Sequence, residues 1–344
     1  MYAGIDIYEN GIYLCISDAT QELADAEYIS YTQAGSKEGA IARIIKKLSL
    51  SKINAPLMVT GLQDEQVLSE LKSITENILY IKHSQTFMYY AASLGETLVG
   101  EQVMIIEDEE EKGFSSIVLD VVRRPKVRRK SLSIGNVDEN IFFVLHERKI
   151  AEKDLNLAVI KLSGGKHASV VFVLGEANDE RMKDLKKLAQ SHKVFLGNNL
   201  FVQGLIYAAD YLYGKNSVKQ GFLKDTLFFI DDDHIAMNIS LRLGDGDEGY
   251  YPLVYAGEDI SASAKVQVIP ENQNEIEFLV DDVRRKEPVH EIMTLGIDEK
   301  SEKKRCFELT LRFEGRNTPI VKITELGFTS LWPKSYRVWE QILR

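Results

Sequence analysis

Residues 103–119 read VMIIEDEEEKGFSSIVL, which is the pattern of two strands joined by an acidic turn. Apolar residues fill both ends, and five consecutive acids at positions 107–111 stand between them. Glycine-rich turns hold phosphate groups with backbone N–H groups because no side chain blocks the approach. Carboxylates at such a turn repel phosphate instead. The stretch therefore predicts a strand hairpin that has no phosphate-binding role.

The composition is typical of a globular protein with two domains. The chain has 344 residues, a hydrophobic content of 44% and a formal net charge of −10, which is enough for two cores. The negative charge argues against nucleic acid or an anionic membrane as the main partner. Cys15 and Cys306 are too few for a disulfide framework, which favours a reducing compartment. We expect a cytoplasmic protein without a leader peptide or membrane span.

The first 215 residues contain one pattern of elements twice, which predicts two pseudo-repeats at 1–100 and 101–215. Each repeat begins with strands and continues with helices that alternate with strands. In the second repeat, strands are expected at 103–106, 114–122 and 127–134. The next segment, 140–150, is expected to be helical. This arrangement predicts mixed sheets covered by helices.

After a polar linker at 215–224, apolar residues recur at every second position, which is the spacing of a β-strand rather than of a helix. Short alternating segments are separated by the turn-forming stretches GDGDEG, PENQN and EGRNTP. Regular short strands with such turns predict a β-sandwich domain at 222–330. The remaining segment, 331–344, is expected to form a C-terminal helix, with Trp339 on its apolar face.

Five stretches in the first 215 residues resemble the seventy-kilodalton heat-shock chaperones, which belong to the actin and hexokinase superfamily. In chain order they are GIDIYENGIYLCIS, ILYIKHSQTFMYYAASLG, VMIIEDEEEKGFSSIVLDVV, SVVFVLGEANDERMKDLKKL and FLGNNLFVQGLIYAADYLYG. They look like the first phosphate hairpin, the connecting segment, the second phosphate hairpin, the adenosine segment and the final crossover helix. Because the five stretches occur in the same order as in the chaperones, the resemblance indicates the chaperones' fold more specifically than any one stretch does.

The resemblance implies an α/β plus all-β protein. Its first part is a duplicated ribonuclease-H-like, actin-like ATPase domain that lacks the family's outer lobes, because the connections at 32–37 and 135–169 are short. Its second part is similar to the start and the last strand pair of the chaperones' substrate-binding β-domain. The chain thus looks like a truncated, degenerate member of the family.

Four departures from the family pattern predict a degenerate nucleotide cleft. Tyr8 replaces a glycine beside Asp6, and Ser84 replaces an acid. The second phosphate turn is acidic, and the adenosine segment keeps only one glycine of a pair. The cleft is therefore assigned to Asp6, Tyr8, Ser84, Glu107, Asp108 and Gly175. Without donors for phosphoryl transfer, we expect no enzymatic activity, no nucleotide cofactor and no metal.

Four apolar residues match positions that line the chaperones' peptide groove, namely Leu243, Val268, Ile276 and Phe278. In a groove they would bury an apolar side chain of a bound peptide. Alternatively, they face inward and fill the core of the sandwich, as strand residues commonly do.

Other candidate sites have simpler interpretations. The acids at 107–111 and at 231–233 could hold a divalent cation but are more typical of solvated turns. Basic residues crowd 123–130 without interleaved aromatics, which favours a solvated or self-paired face over a nucleic-acid site. The six histidines are treated as structural, including His83 beside Ser84. The sequence SGGK at 163–166 predicts a turn rather than a phosphate loop.

The preferred hypothesis is a non-catalytic, chaperone-like scaffold that binds a protein or peptide. The main alternative is an ATP-dependent chaperone or ATPase with an unusual phosphate loop. A third reading, a nucleic-acid adaptor that uses the basic stretch, predicts affinity that falls steeply with salt. The sequence leaves the partner and the oligomeric state open.

Overall fold

The computed structural model describes residues 1–17, 26–51, 53, 55–94, 102–109, 112–125, 139–175, 179–214, 227–243, 249–270, 274–297, 305–326 and 337–344. The chain forms two compact units. Unit 1 comprises Met1–Val121 and Lys126–Leu227, and unit 2 comprises Val122–Pro125 and Phe228–Arg344. The predicted linker at 215–224 and the predicted strand at 127–134 lie outside the described residues.

The first half of unit 1 is a mixed sheet with helices. Its elements are β1 (Tyr2–Tyr8), β2 (Gly11–Ser17), β3 (Glu27–Ser30), α1 (Lys37–Leu50), β4 (Leu57–Gly61), α2 (Glu65–Lys72), β5 (Ile78–Tyr80) and α3 (His83–Ser93). The strand order is β3-β2-β1-β4-β5, with antiparallel pairs in the β1–β3 meander and parallel pairs from β1 to β5. Helix α2 starts after Asp64, whose carboxylate accepts the N–H groups of Gln66 and Val67.

The second half of unit 1 repeats this order. Its elements are β6 (Gln102–Asp108), β7 (Phe114–Pro125), β8 (Glu139–Ile150), α4 (Leu155–Leu162), β9 (Ala168–Val173), α5 (Asp179–Leu188), β10 (Lys193–Leu196) and α6 (Leu200–Tyr213). Within unit 1 the strands follow the order β10-β9-β6-β7-β8, which matches the first half strand for strand. The mixed α/β architecture expected for this part is therefore confirmed.

Helices α3 and α6 pack against each other and hold the two halves of unit 1 together. A Cβ on Gly204 of α6 would lie 2.3 Å from the carbonyl oxygen of Thr86 in α3, so only glycine permits this close approach. Phe87 of α3 meets Phe172 of β9 edge to face at 5.9 Å, while Leu205 of α6 joins a cluster with Met58 of β4. Each helix thus contacts the sheet of the other half.

Unit 2 contains two four-stranded sheets. Strand β11 (Leu227–Ile230) precedes these sheets, whose strands are β12 (Met237–Arg242), β13 (Tyr250–Val254), β14 (Ala264–Val268), β15 (Glu275–Asp282), β16 (Val289–Thr294), β17 (Phe307–Phe313), β18 (Pro319–Glu325) and β19 (Val338–Ile342). The sheet orders are β13-β12-β15-β16 and β14-β17-β18-β19. Residues of both sheets share one hydrophobic core. The likeness of this unit to the chaperones' substrate-binding domain stays a prediction.

Two predicted helices are strands in the structure. The segment 140–150 belongs to β8, where Phe142 and Leu145 are buried in a sheet rather than along one side of a helix. The C-terminal helix expected at 331–344 is corrected as well, because 338–342 form β19, antiparallel to β18. In β19, exposed Val338 and Ile342 alternate with half-buried Trp339 and Gln341, which is the period of a strand.

Three further elements, β11, α4 and β16, were not predicted from the sequence. Helix α4 starts after Asp154, whose carboxylate accepts hydrogen bonds from two backbone N–H groups. This N-cap was overlooked because the helix is short. Strand β16 pairs with β15 although its own apolar residues are few. Among the described helices, none combines the length and the apolar character that crossing a bilayer requires.

Candidate functional site

A cavity of about 510 Å³ opens in unit 1 beside the start of α3 and the ends of β6 and β9. Its walls combine charged, hydroxyl and apolar side chains. Among the lining residues are Lys82, His83, Ser84, Glu107, Glu109, Ser115, Glu147, Arg148, Lys149, Leu174 and Phe201. Both halves of the duplicated fold therefore contribute to it.

Asp6 lies behind one wall of this cavity and is fully buried. Its Oδ1 is 2.7 Å from Nε2 of His83, which lines the cavity. Its Oδ2 is buried without a hydrogen-bond partner among the described residues. The backbone makes room for the carboxylate at Gly61, where φ is +86° and a Cβ would lie 2.7 Å from Oδ1. Glycine is therefore required beside Asp6.

The imidazole of His83 is held in a fixed orientation. Its ring stacks on Phe201 with centroids 4.0 Å apart and an interplanar angle of 8°. The ring of Tyr8 lies 5.9 Å away on another side. Because a carboxylate accepts hydrogen bonds, Nε2 of His83 carries the proton that it donates to Asp6, so Nδ1 is the nitrogen available to a ligand.

Tyr8 lies two residues after Asp6 on the same face of β1. Burial, and next the negative charge of Asp6, raise the pKa of the Tyr8 phenol far above its ordinary value. At neutral pH the phenol is therefore uncharged and can donate a hydrogen bond.

Glu107 and Glu109 stand on the wall contributed by β6. Desolvation raises the pKa of Glu107, the charges of Glu109 and Asp6 raise it further, and those of His83 and Lys149 lower it. Glu109 pairs with Lys149, whose Nζ is 2.6 Å from Oε1. Of the acidic turn, positions 110 and 111 lie outside the described residues.

The remaining predicted cleft residues lie close to this cavity. Ser84, the second residue of α3, is buried and lines it. Asp108 follows Glu107 at the end of β6. Gly175 has φ of +133°, follows the lining residue Leu174, and donates its N–H to Oδ1 of Asn198 at 2.6 Å. The six residues assigned to one cleft from the sequence thus fall in one region of unit 1.

Sequence reasoning treated His83 as structural, whereas the structure places it at the cavity. The Asp6–His83 contact joins residues 77 positions apart in the sequence. No local sequence pattern predicts that these two side chains meet. The only signal was the placement of His83 at the start of a helix that follows a strand. Arg148 and Lys149 were missed because 140–150 was expected to be helical.

A second polar cluster of unit 1 is built around Asp120 of β7. Lys166 Nζ and Gln102 Nε2 donate to its two oxygens at 2.6 and 2.7 Å, and His146 lies 3.3 Å away. Burial opposes ionisation, but these donors outweigh it and hold the pKa of Asp120 well below its ordinary value. Lys166 ends the SGGK segment, which forms a turn with positive φ at Gly164 and Gly165, as expected.

The proposed groove residues do not line a common surface. Val268, Ile276 and Phe278 belong to the core of unit 2, whereas Leu243 is 52% exposed. Their burial favours the alternative interpretation, in which inward strand residues fill the core. The prediction that Val268, Ile276 and Phe278 line a peptide groove is therefore corrected, because these side chains fill the core of unit 2.

The other charged stretches form local contacts. Oδ1 of Asp231 accepts the N–H of Asp233 at 2.8 Å and contacts Nδ1 of His234 at 2.6 Å, which closes a turn. Of the basic stretch, Arg124 donates to the carbonyl oxygen of Lys286 at 3.1 Å, and positions 126–130 lie outside the described residues. In the part of the chain that the structure describes, no group of three or more metal-binding side chains occurs.

Several solved structures resemble unit 1. An inorganic polyphosphate/ATP-glucomannokinase from Arthrobacter sp. strain KM is 17% identical over 60% of this chain and 97% of its own, with a TM-score of 0.36. A ROK family glucokinase from Streptomyces griseus is 11% identical over 61% and 98%, also with a TM-score of 0.36. The activator of the 2-hydroxyisocaproyl-CoA dehydratase from Clostridium difficile is 10% identical over 60% and 93%, with a TM-score of 0.35.

These neighbours have mixed α/β sheets, the architecture that was expected for unit 1. The closer link to heat-shock chaperones and the truncation stay predictions. The prediction that the chain is not an enzyme is contradicted by the sugar kinases among the neighbours, and it is wrong as stated. At these TM-scores the reactions of the kinases do not carry over to this chain.

Sequence comparisons give two matches to uncharacterised families. Residues 234–344 match a domain of unknown function (DUF8552), and residues 33–225 match the C-terminal part of a family of unknown function (DUF5716). No curated protein matches the sequence. Since the second match takes in more than half of the chain, the protein belongs to the family of unknown function (DUF5716).

Proposed function

We propose that unit 1 binds a small polar molecule, of the size of a nucleotide or a sugar, in its cavity. The observation that carries this proposal is the buried Asp6 carboxylate that orients His83 at the cavity wall. Burying a carboxylate is costly, and orienting a ligand-binding side chain is a common reason for such a group to be retained. The role expected from the sequence, a cleft that has lost its ligand, does not explain this pair.

The size and lining of the cavity support the same proposal. Ligand pockets usually have about 300–1,000 Å³, and this cavity has about 510 Å³. Leu174 and Phe201 provide apolar surface, while His83, Ser84 and Glu107 provide polar groups that can fix an orientation. An apolar surface with a few placed polar groups is the usual composition of a small-molecule site.

Thermal unfolding with added ligand tests this function. Glucose, glucosamine, pyrophosphate and ADP with Mg²⁺ are added to the full chain, and at least one should raise the melting temperature, since a ligand that binds only the native state stabilises it. His83→Ala should reduce that shift at least about threefold, because a ligand contact and the Asp6 partner are lost together.

The matched control is His167→Ala, which removes an exposed histidine of the same unit. It should keep the full shift. An unchanged melting temperature with all four compounds, or an equal loss in both variants, contradicts the proposal.

A protein-binding role for unit 2 is a second candidate. It is favoured by β19, an edge strand on which Val338 and Ile342 are 51% and 54% exposed, because edge strands can pair with an extended segment of a partner. A pull-down that compares the full chain with Ile342→Lys tests it. A partner recovered equally by both chains would contradict binding at this edge.

A further inference from the structure

One wall of the cavity in unit 1 presents the imidazole of His83 and the carboxylate of Glu107, and the buried carboxylate of Asp6 lies directly behind His83. We name Asp6, His83 and Glu107 the carboxylate wall. Their charges act on one another, since His83 and Asp6 both shift the pKa of Glu107. Asp6 touches His83 directly at 2.7 Å. The three groups therefore present a single electrostatic environment to a ligand.

Hydrogen bonding at this wall is incomplete on the acceptor side. Oδ2 of Asp6 is buried and has no donor among the described residues. Nε2 of His83 contacts Asp6, which leaves Nδ1 as the ring nitrogen that this contact does not use. Glu107 is an acceptor whenever it is ionised. A ligand group that supplies donors can therefore pair with the lining carboxylate of Glu107, and one that supplies only acceptors cannot.

Electrostatics at this wall point in the same direction. Glu107 lines the cavity, and burial is the main reason that the pKa of its carboxyl is raised, while the nearby charges of Glu109 and Asp6 raise it further. A phosphate placed there would add further negative charge beside Glu107 and Asp6. A neutral or positively charged group would not.

Two of the basic side chains that line the cavity, Arg148 and Lys149, already have protein partners. Nζ of Lys149 pairs with Glu109 at 2.6 Å. The guanidinium of Arg148 donates to the carbonyl oxygen of Leu162, at the end of α4. A phosphate would have to draw these cations away from their present partners, whereas arginine and lysine in phosphate sites are aimed at the ligand.

A carboxylate of the protein also lies near the N-terminus of α3, which is the positive end of the helix dipole. Helix α3 begins at His83, which contacts the carboxylate of Asp6. A helix N-terminus attracts anions, and the carboxylate of Asp6 already contacts the side chain of the first residue of this helix. The start of α3 is thus not a vacant anion site.

We propose that the carboxylate wall binds a ligand group that donates hydrogen bonds and carries no negative charge, namely a hydroxyl or an ammonium group. This inference rests on the proposed function of the cavity and specifies the chemical class of its ligand. A phosphate-bearing end of a ligand is disfavoured at this wall. Glu107 is then a specificity-determining residue.

NMR of the full chain, with ¹⁵N-labelled histidine, tests this assignment. The His83 imidazole signals, identified by their loss in His83→Ala, are followed during titration with glucose, glucosamine and pyrophosphate. Glucose or glucosamine should shift them, and pyrophosphate should not. A tighter response to glucosamine identifies the ammonium group as the recognised donor, and an equal response identifies the hydroxyl.

Two substitutions of Glu107 test whether its charge determines which ligand binds. Glu107→Lys should weaken the sugar that binds by about tenfold or more and should allow pyrophosphate to shift His83, because the sign of the wall charge is reversed. Glu107→Gln keeps the shape and should weaken glucosamine more than glucose. The matched control is Glu287→Lys, an exposed acid of unit 2, which should leave every titration unchanged.

The outcomes separate the two claims. If pyrophosphate shifts His83 at lower concentration than either sugar, the assigned ligand class is overturned, while ligand binding in the cavity stands. If none of the three compounds shifts His83, the proposed function fails and the assignment fails with it.

Discussion

The chemistry of unit 1 depends on single residues that the fold removes from water. Asp6 has no solvent exposure and one histidine donor. Asp120, in contrast, is surrounded by donors from Gln102, Lys166 and His146. The first carboxylate has an unpaired oxygen and lies beside a cavity, while the second is fully engaged. We therefore assign a ligand-related role to Asp6 and a stabilising role to Asp120.

The sequence predicted part of this site. Asp6, Tyr8 and Glu107 could be grouped because a resemblance placed their two hairpins at one cleft. His83 could not, because its role comes from a contact across the fold rather than from neighbours in sequence. The groove assignment failed for Val268, Ile276 and Phe278 because a strand pattern shows which residues share a face, but not whether that face is covered.

Acid should destabilise the protein through Asp120. Its pKa is lowered in the folded state, so its stabilising contribution is complete above the unfolded-state pKa of about 3.9 and is lost as the pH falls toward the lower folded-state value. Asp120→Asn should cost about 2–4 kcal/mol of unfolding free energy at pH 7, because Lys166 and His146 lose a buried partner. Urea unfolding at several pH values measures this.

The difference between the wild-type protein and Asp120→Asn should shrink as the pH is lowered below about 4. Asp232→Asn removes a carboxylate that is 83% exposed and should change stability by less than about 0.5 kcal/mol. A constant difference between wild type and Asp120→Asn from pH 7 to pH 3 would contradict the pairing.

Individual elements differ in how far local sequence determines them. Helices α1 and α2 have periodic apolar residues and N-caps at Ser36 and Asp64, and they follow the opening strands of the first repeat, as the predicted order of elements requires. Strands β8 and β19 were expected as helices, since their apolar residues also fit a helical spacing over one or two turns. Pairing with a neighbouring strand decided between the two periods, and a single sequence does not display that pairing.

Two glycines with similar backbone angles provide a test at the scale of the element. Gly61 at the end of β4 has φ of +86°, and a Cβ there would lie 2.3 Å from the carbonyl oxygen of Ile7. Gly165 has φ of +84° with open space around it. Gly61→Ala should cost about 3 kcal/mol of unfolding free energy, and Gly165→Ala about 1 kcal/mol.

Urea unfolding of the two variants side by side measures the difference. Backbone strain is common to both, so the excess at Gly61 reports the close contact between β4 and β1. Equal losses of stability would show that β4 does not approach β1 as closely as described.

At the scale of the whole molecule, the order of elements was the most predictable feature. The two halves of unit 1 have the same strand order, and the duplicated pattern in the sequence indicated it. Function was less predictable. Missing phosphate-binding motifs were taken to mean a missing enzymatic activity, a conclusion that the kinases among the structural neighbours contradict. Losing the residues for one ligand does not show that a cavity is empty of every ligand.

The central claim is that the cavity of unit 1 holds a small polar ligand against His83. Crystals of the full chain soaked separately in glucose and in glucosamine test it most directly. We expect density for one of them in the cavity, with a hydroxyl or amino group within hydrogen-bond distance of His83 Nδ1 or Glu107. A cavity that contains only water at saturating concentrations of both, or a sugar bound only to unit 2, would contradict the account.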